Sequence, residues 1–155
     1  MIVAVSGIGY WNEITLLRLE LSVHNAATWY MAGIIWLIQL VHYPMFRFMD
    51  RATFQSSHAF HSTAIGFVVI PAMLLELGLA TTIIYQRGAG DWPALAGFLL
   101  VLILWGLTFF VMVPLHGRLA SGGFQPDVIN ALVQWNWLRT IAWTTRAIIA
   151  ILWLK

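Results

Sequence analysis

A chain of 155 residues that is 61% hydrophobic and only 9% charged cannot clothe a globular surface in polar groups, because a soluble domain carries about 25% charged residues. Its main solvent is therefore lipid. The absence of cysteine excludes disulfides, thiolate metal sites and thiol catalysis, and a net charge of +2 without a basic run offers nucleic acid no footprint.

Residues 1–24 are mixed in character. Met1 to Gly9 holds no Lys or Arg, so the basic start of a signal peptide is missing. Asn12 and Glu13 suit the cap and first turn of a helix. The expectation is a short N-terminal surface segment, or else a polar extension of the first span, with His24 in a structural role.

Four apolar runs follow, at about 26–46, 62–86, 92–115 and 130–154. Each meets the roughly 20 residues that a transmembrane helix needs. Pro44 closes the first. Arg87-Gly88-Ala89-Gly90-Asp91 makes a tight turn, and Pro93 stands just inside the next helix. Pro114 and Ser121-Gly122-Gly123 end the third run, and Pro126 with Asp127 start the last helix. The expected fold is all-α: a single domain over 1–155, built as an up-down-up-down four-helix transmembrane bundle. Gly33, Gly66, Gly78, Gly97 and Gly106 allow close helix approach. Trp29, Tyr43, Tyr85, Trp92 and Trp153 read as interfacial belts. Positive charge leaves orientation open, with Arg47, Arg51 and Arg118 on one side against Arg18, Arg87 and Lys155 on the other. A weak echo at an offset of 70 pairs Pro44, Phe54 and Gln55 with Pro114, Phe124 and Gln125, a hint of hairpin duplication.

The stretch QSSHAFHSTAIGFVVIPAMLLE, residues 55–76, puts His58, His61, Ile65, Val69, Ala72 and Glu76 on one side of a helix. Ionisable groups on such a stripe face a bundle interior rather than lipid. Topology adds more. His42 ends the first span, His58 and His61 begin the second, and His116 ends the third, so all four fall at one membrane face. Imidazole is the common protein ligand for zinc, copper and iron, haem iron included. The metal candidates are therefore His42, His58, His61 and His116, with Cu, Fe, Zn or haem b as cofactor, although HAFH is not a recognised ligand motif. Trp135, Asn136 and Arg139 begin the fourth span at the same face and are the cofactor-binding candidates, Arg139 as an anion partner. Gln39 reads as a helix-to-helix hydrogen bond. Glu76 and Arg146, at similar depth, read as an internal ion pair.

WLIQLVHYPMF, HAFHSTAIGFVVIPAMLLEL, VPLHGRL and NWLRTIAWTTR resemble a group of small, uncharacterised four-span bacterial membrane proteins, over about residues 26–154. The last two segments are also similar to the anthrone-oxygenase-like family of unknown function. Pro114, Leu115, Asn136, Arg139 and Thr140 match its pattern, and His116 stands where that family tends to have Asn. The resemblance implies a multi-pass protein of the bacterial inner membrane. Two functions from different classes stay open: a metal- or haem-binding redox or oxygenase-like protein, and a non-catalytic accessory subunit packed in a larger membrane complex or a homo-oligomer. A proton-coupled transporter is a third reading, for which four spans make a small pathway.

Overall fold

The computed structural model describes residues 4–151, with side chains described for residues 15, 16 and 18–151. The expected cap at Asn12 and Glu13 and the belt and charge positions Trp153 and Lys155 lie outside the described side chains. All elements among the described residues are helical: α1 (Ala4–Leu37), a π turn (Ile38–His42), α2 (Tyr43–Met45), a 3-10 turn (Phe46–Phe48), α3 (Phe54–Arg87), α4 (Trp92–Leu107), a second π turn (Thr108–Met112), α5 (Val113–Gly122) and α6 (Pro126–Ile151). They form four long rods, since each π turn joins the helices on either side of it. α3 and the rod Trp92–Gly122 are long and apolar enough to cross a membrane, by length and composition.

α1 runs without a break from Ala4 to Leu37. The described part of 1–24 is therefore the polar extension of the first long helix rather than a separate surface helix. No proline interrupts the chain before Pro44, and Gly7 and Gly9 alone do not stop a helix that continues this far.

The two π turns share a setting. Tyr43 N–H bonds to Ile38 O, and Val113 N–H bonds to Thr108 O, each just before a proline. Pro44 and Pro114 lack an N–H and their rings press on the carbonyl four residues back. Widening the preceding turn to a five-residue spacing lets the rod continue past that obstruction.

The connection between α3 and α4 is built from Gly88 and Asp91. Gly88 adopts φ +77°, which glycine enters without steric cost, and its N–H caps Ile84 O at 2.9 Å. Asp91 caps α4: Oδ1 accepts from Ala94 N–H at 3.1 Å, while Oδ2 pairs with Arg87 Nη1 at 3.0 Å. Partial burial pushes the Asp91 carboxyl up, but the bonds from Arg87 and Ala94 outweigh it and hold it below its ordinary value. A depressed folded-state value means that this stabilisation is complete above about pH 4 and fades as pH falls through the folded-state value. Asp91→Ala is expected to lower stability by about 1 kcal/mol, and the loss should shrink in unfolding measurements made at progressively lower pH.

α1 packs on α3 and α6, and α4 packs on α3 and α6. At one end of the α1–α3 pair Gln86 Nε2 donates to Glu20 Oε2 at 3.2 Å; at the other His42 meets His61. The core holds Met31, Ile35, Phe46, Phe54, Leu119, Ile129, Leu132 and Trp143. Polarity is inverted relative to a soluble protein. Gln39, His58, Glu76, Asn136, Arg139 and Arg146 are buried, while Phe60, Phe67, Tyr85 and Phe110 are exposed.

The sequence echo has structural counterparts at the same offset of 70. The π turns Ile38–His42 and Thr108–Met112 correspond, as do the buried pairs Met73 and Trp143, Glu76 and Arg146, and Ala80 and Ala150. Phe54 and Phe124, also equivalent, touch edge to face with centroids 5.4 Å apart.

Candidate functional site: a histidine quartet

Three rods deliver four imidazoles to one end of the molecule. His42 is the last residue of the first π turn, His58 and His61 lie in the opening turns of α3, and His116 lies in the first turn of α5. α3 begins at Phe54 and the third rod ends at Gly122, so His58, His61 and His116 sit within helices rather than at their ends. That fixes their side chains on rigid backbone.

The rings converge. The His116 centroid is 5.2 Å from His58 and 5.8 Å from His61. His42 lies 4.2 Å from His61, and His58 lies 6.4 Å from His61. Phe46 closes the cluster from below, edge-on to His58 at 5.7 Å and to His61 at 5.1 Å. Phe54 stacks on His58 at 5.8 Å. His58 and His61 are buried, whereas His42 and His116 are partly exposed. Beside His42 and His61 a groove of about 540 Å³, lined also by Met45, Met49 and Phe60, leads to the cluster.

The nitrogens meet in pairs. His42 Nε2 is 2.5 Å from His61 Nδ1, and His58 Nε2 is 3.0 Å from His116 Nδ1. The Tyr43 hydroxyl is 3.0 Å from His116 Nε2, and the Arg139 side chain lies next to it. Each contact shares one proton between its two atoms, in the direction set by the imidazole tautomer. His58 Nδ1 is buried without a partner, as is His61 Nε2. Among the described residues, no group of three or more His, Cys, Asp or Glu side chains is arranged around one metal-sized point. The four imidazoles are brought together as two touching pairs.

Asn136 and Arg139 lie directly behind the quartet. Asn136 Nδ2 donates to Gln39 Oε1 at 2.9 Å, and Arg139 Nη1 donates to Asn136 Oδ1 at 3.2 Å. Gln39 is a hub, because its Nε2 also reaches Val133 O at 3.1 Å and its Oε1 accepts from Thr140 at 3.4 Å. The Arg139 guanidinium lies over the Trp143 ring at 5.2 Å. Trp135 is 47% exposed and lies outside this cluster.

Deeper along α6 the Trp143 Nε1–H donates to Glu76 Oε2 at 2.9 Å, and Arg146 Nη2 lies 3.5 Å from Glu76 Oε1. Arg146 Nη2 also contacts His24 Nε2 and Thr28 Oγ1, both at 3.5 Å. Sequence reasoning passed over Tyr43, Phe46 and His24 as site residues. Tyr43 was read into an aromatic belt and is 4% exposed. Its place next to His42 and before Pro44 was the available signal.

Compared with known proteins, the chain matches no family model, no curated protein and no solved structure.

Proposed function

We propose that this chain is a four-span, up-down-up-down protein of the bacterial inner membrane, of the four-span group its motifs resemble, and that its histidine quartet binds a transition metal, copper, iron or zinc, for redox or oxygenase-like chemistry. The observation that carries the reading is four imidazoles from three rods, with His58, His61 and His116 within 6.4 Å of one another and His42 4.2 Å from His61. Inverted polarity supports the membrane part: the outer surface is aromatic and aliphatic while the ionisable groups are inside. The end contacts of α1 and α3 and the short turn at Gly88 support the alternating direction of the rods.

The donor set fits an ion better than haem. Zinc–nitrogen bonds of about 2.0–2.1 Å in tetrahedral geometry place ligand nitrogens about 3.3 Å apart, close to the 3.0 Å between His58 and His116. The buried, unpartnered His58 Nδ1 and His61 Nε2 are additional donor atoms of the right chemistry. Haem b would have to enter between rings whose centroids are 4.2 to 6.4 Å apart, which leaves no slot for a macrocycle. A bound ion would supply electron transfer or oxygen activation. The chain's own part is to hold the imidazoles, with Tyr43 orienting His116, and to keep water off the buried side with Phe46 and Phe54.

Elemental analysis of purified protein, with an absorption spectrum, tests the reading. About one metal ion per chain is the expected result. A metal-free protein from cells supplied with copper, iron and zinc overturns it and leaves the accessory-subunit reading.

A further inference from the structure

A second cavity, of about 240 Å³, lies between α3, the two π turns and α6. Its wall is largely apolar, and six residues matter to its chemistry: Tyr43, Ser62, Gly66, Thr108, His116 and Arg139. Two of the residues lining it carry a donor with no partner. Arg139 Nε is buried without a hydrogen bond, and so is Ser62 Oγ. Arg139 is only 4% exposed. Among the described residues the carboxylates are engaged elsewhere: Glu20 with Gln86, Asp50 with Ala52 N–H, Glu76 with Trp143 and Arg146, Asp91 with Arg87, and Asp127 with Arg118. The guanidinium therefore sits in an apolar setting with neutral neighbours, Asn136 and Tyr43. A buried charge of this kind calls for a counter-charge.

We propose that this cavity binds a lipophilic organic anion, an apolar body carrying one carboxylate or phenolate group, with that group drawn to the Arg139 guanidinium on the cavity wall. The volume suits it. A dry cavity of about 150 Å³ holds benzene, so 240 Å³ admits a substituted ring or the head and first carbons of an acyl chain. Ile65, Val69 and Val113 supply the apolar wall, and the neighbouring Phe67 and Ile70 are exposed on the outer surface of α3, so the anion's apolar part has a path to the bilayer. The cavity shares His116 with the quartet, and this places the anion beside the imidazoles. The case for it does not depend on an ion being bound there.

The test uses the full chain in phosphatidylcholine nanodiscs after a chelator wash, with empty nanodiscs subtracted, so that metal at the quartet does not enter the result. cis-Parinarate probes an acyl carboxylate and 4-nitrophenolate a ring phenolate. Saturable binding of one probe is expected, and that probe names the source. The uncharged counterpart, methyl parinarate or 4-nitroanisole, should bind at least about tenfold more weakly, as should the anion to Arg139→Gln, because a charge-assisted hydrogen bond is lost. Gly66→Leu fills the cavity without touching Arg139: a Cβ there meets only Ile70 Cδ1, at 3.6 Å. It should abolish binding while helix content and thermal transition stay as in wild type. If Arg139→Gln fails to fold, Gly66→Leu and the neutral probes decide. Saturable binding of neither anion, or binding unchanged by Gly66→Leu or by removal of the probe's charge, overturns the proposal.

Discussion

Glu76→Gln alone, or Arg146→Gln alone, is expected to destabilise the protein by about 3–5 kcal/mol, and the double variant by less than either single change, because a lone buried charge is worse than none. The geometry sets this expectation. Arg146 and Glu76 side chains are 1% and 3% exposed, with Nη2 to Oε1 at 3.5 Å. Glu76 without Arg146 keeps neutral donors, the Trp143 indole N–H foremost, but no positive charge. Arg146 without Glu76 keeps His24 and Thr28, which offer lone pairs but no negative charge. The double-mutant cycle is read from denaturant unfolding of the protein in detergent micelles. Losses that simply add would mean the two groups do not stabilise each other.

The second large effect is expected at the proposed metal site, and is read as metal content. His58→Ala and His116→Ala should each reduce occupancy at least about tenfold, since each removes a nitrogen from the contact at 3.0 Å, and loss even of an outer partner of a ligand typically costs about 10–100-fold in metal affinity. Tyr43→Phe is the finer probe. It deletes the hydroxyl on His116 Nε2 and keeps the buried ring, so affinity should fall into that same range of about 10–100-fold while the fold persists. His24 belongs to the Arg146 cluster, and His24→Ala should keep wild-type metal occupancy. Wild-type occupancy in both His58→Ala and His116→Ala would assign those residues to packing alone.

The helical class and the gathering of His42, His58, His61 and His116 were legible because both follow from coarse signals. Long apolar runs specify rods, and alternating short connections bring the ends of successive rods to one side. The placement of Glu76 near Arg146 was legible for a related reason, since charges inside apolar rods have few places to go. Other features depend on information that hydropathy does not carry. The π turns at Ile38–His42 and Thr108–Met112 answer local collisions at Pro44 and Pro114, and a proline before a helix equally well signals a plain end. Tyr43 is amphipathic, so the same residue suits a membrane interface or a buried bond to His116. His24 stood in a mixed-polarity stretch whose continuity with α1 had no marker. Trp135 and Asn136 are adjacent in sequence, yet about 100° of helical rotation puts one half outside and the other fully inside.

The pairing of Glu76 with Arg146 has a consequence for how such a protein can be assembled. The two residues stand 70 positions apart, one in each helical hairpin, and face each other. A dimer of two identical hairpins packed in this way would bring each of these positions against its own copy, Glu against Glu or Arg against Arg, and like charges buried side by side repel. Fusion of the hairpins into one chain releases the two positions from identity, so one can become an acid and the other a base. The two halves are thereby no longer interchangeable. Severed at the Gly88–Gly90 turn and co-produced, they have an electrostatic reason to recombine with each other rather than with themselves.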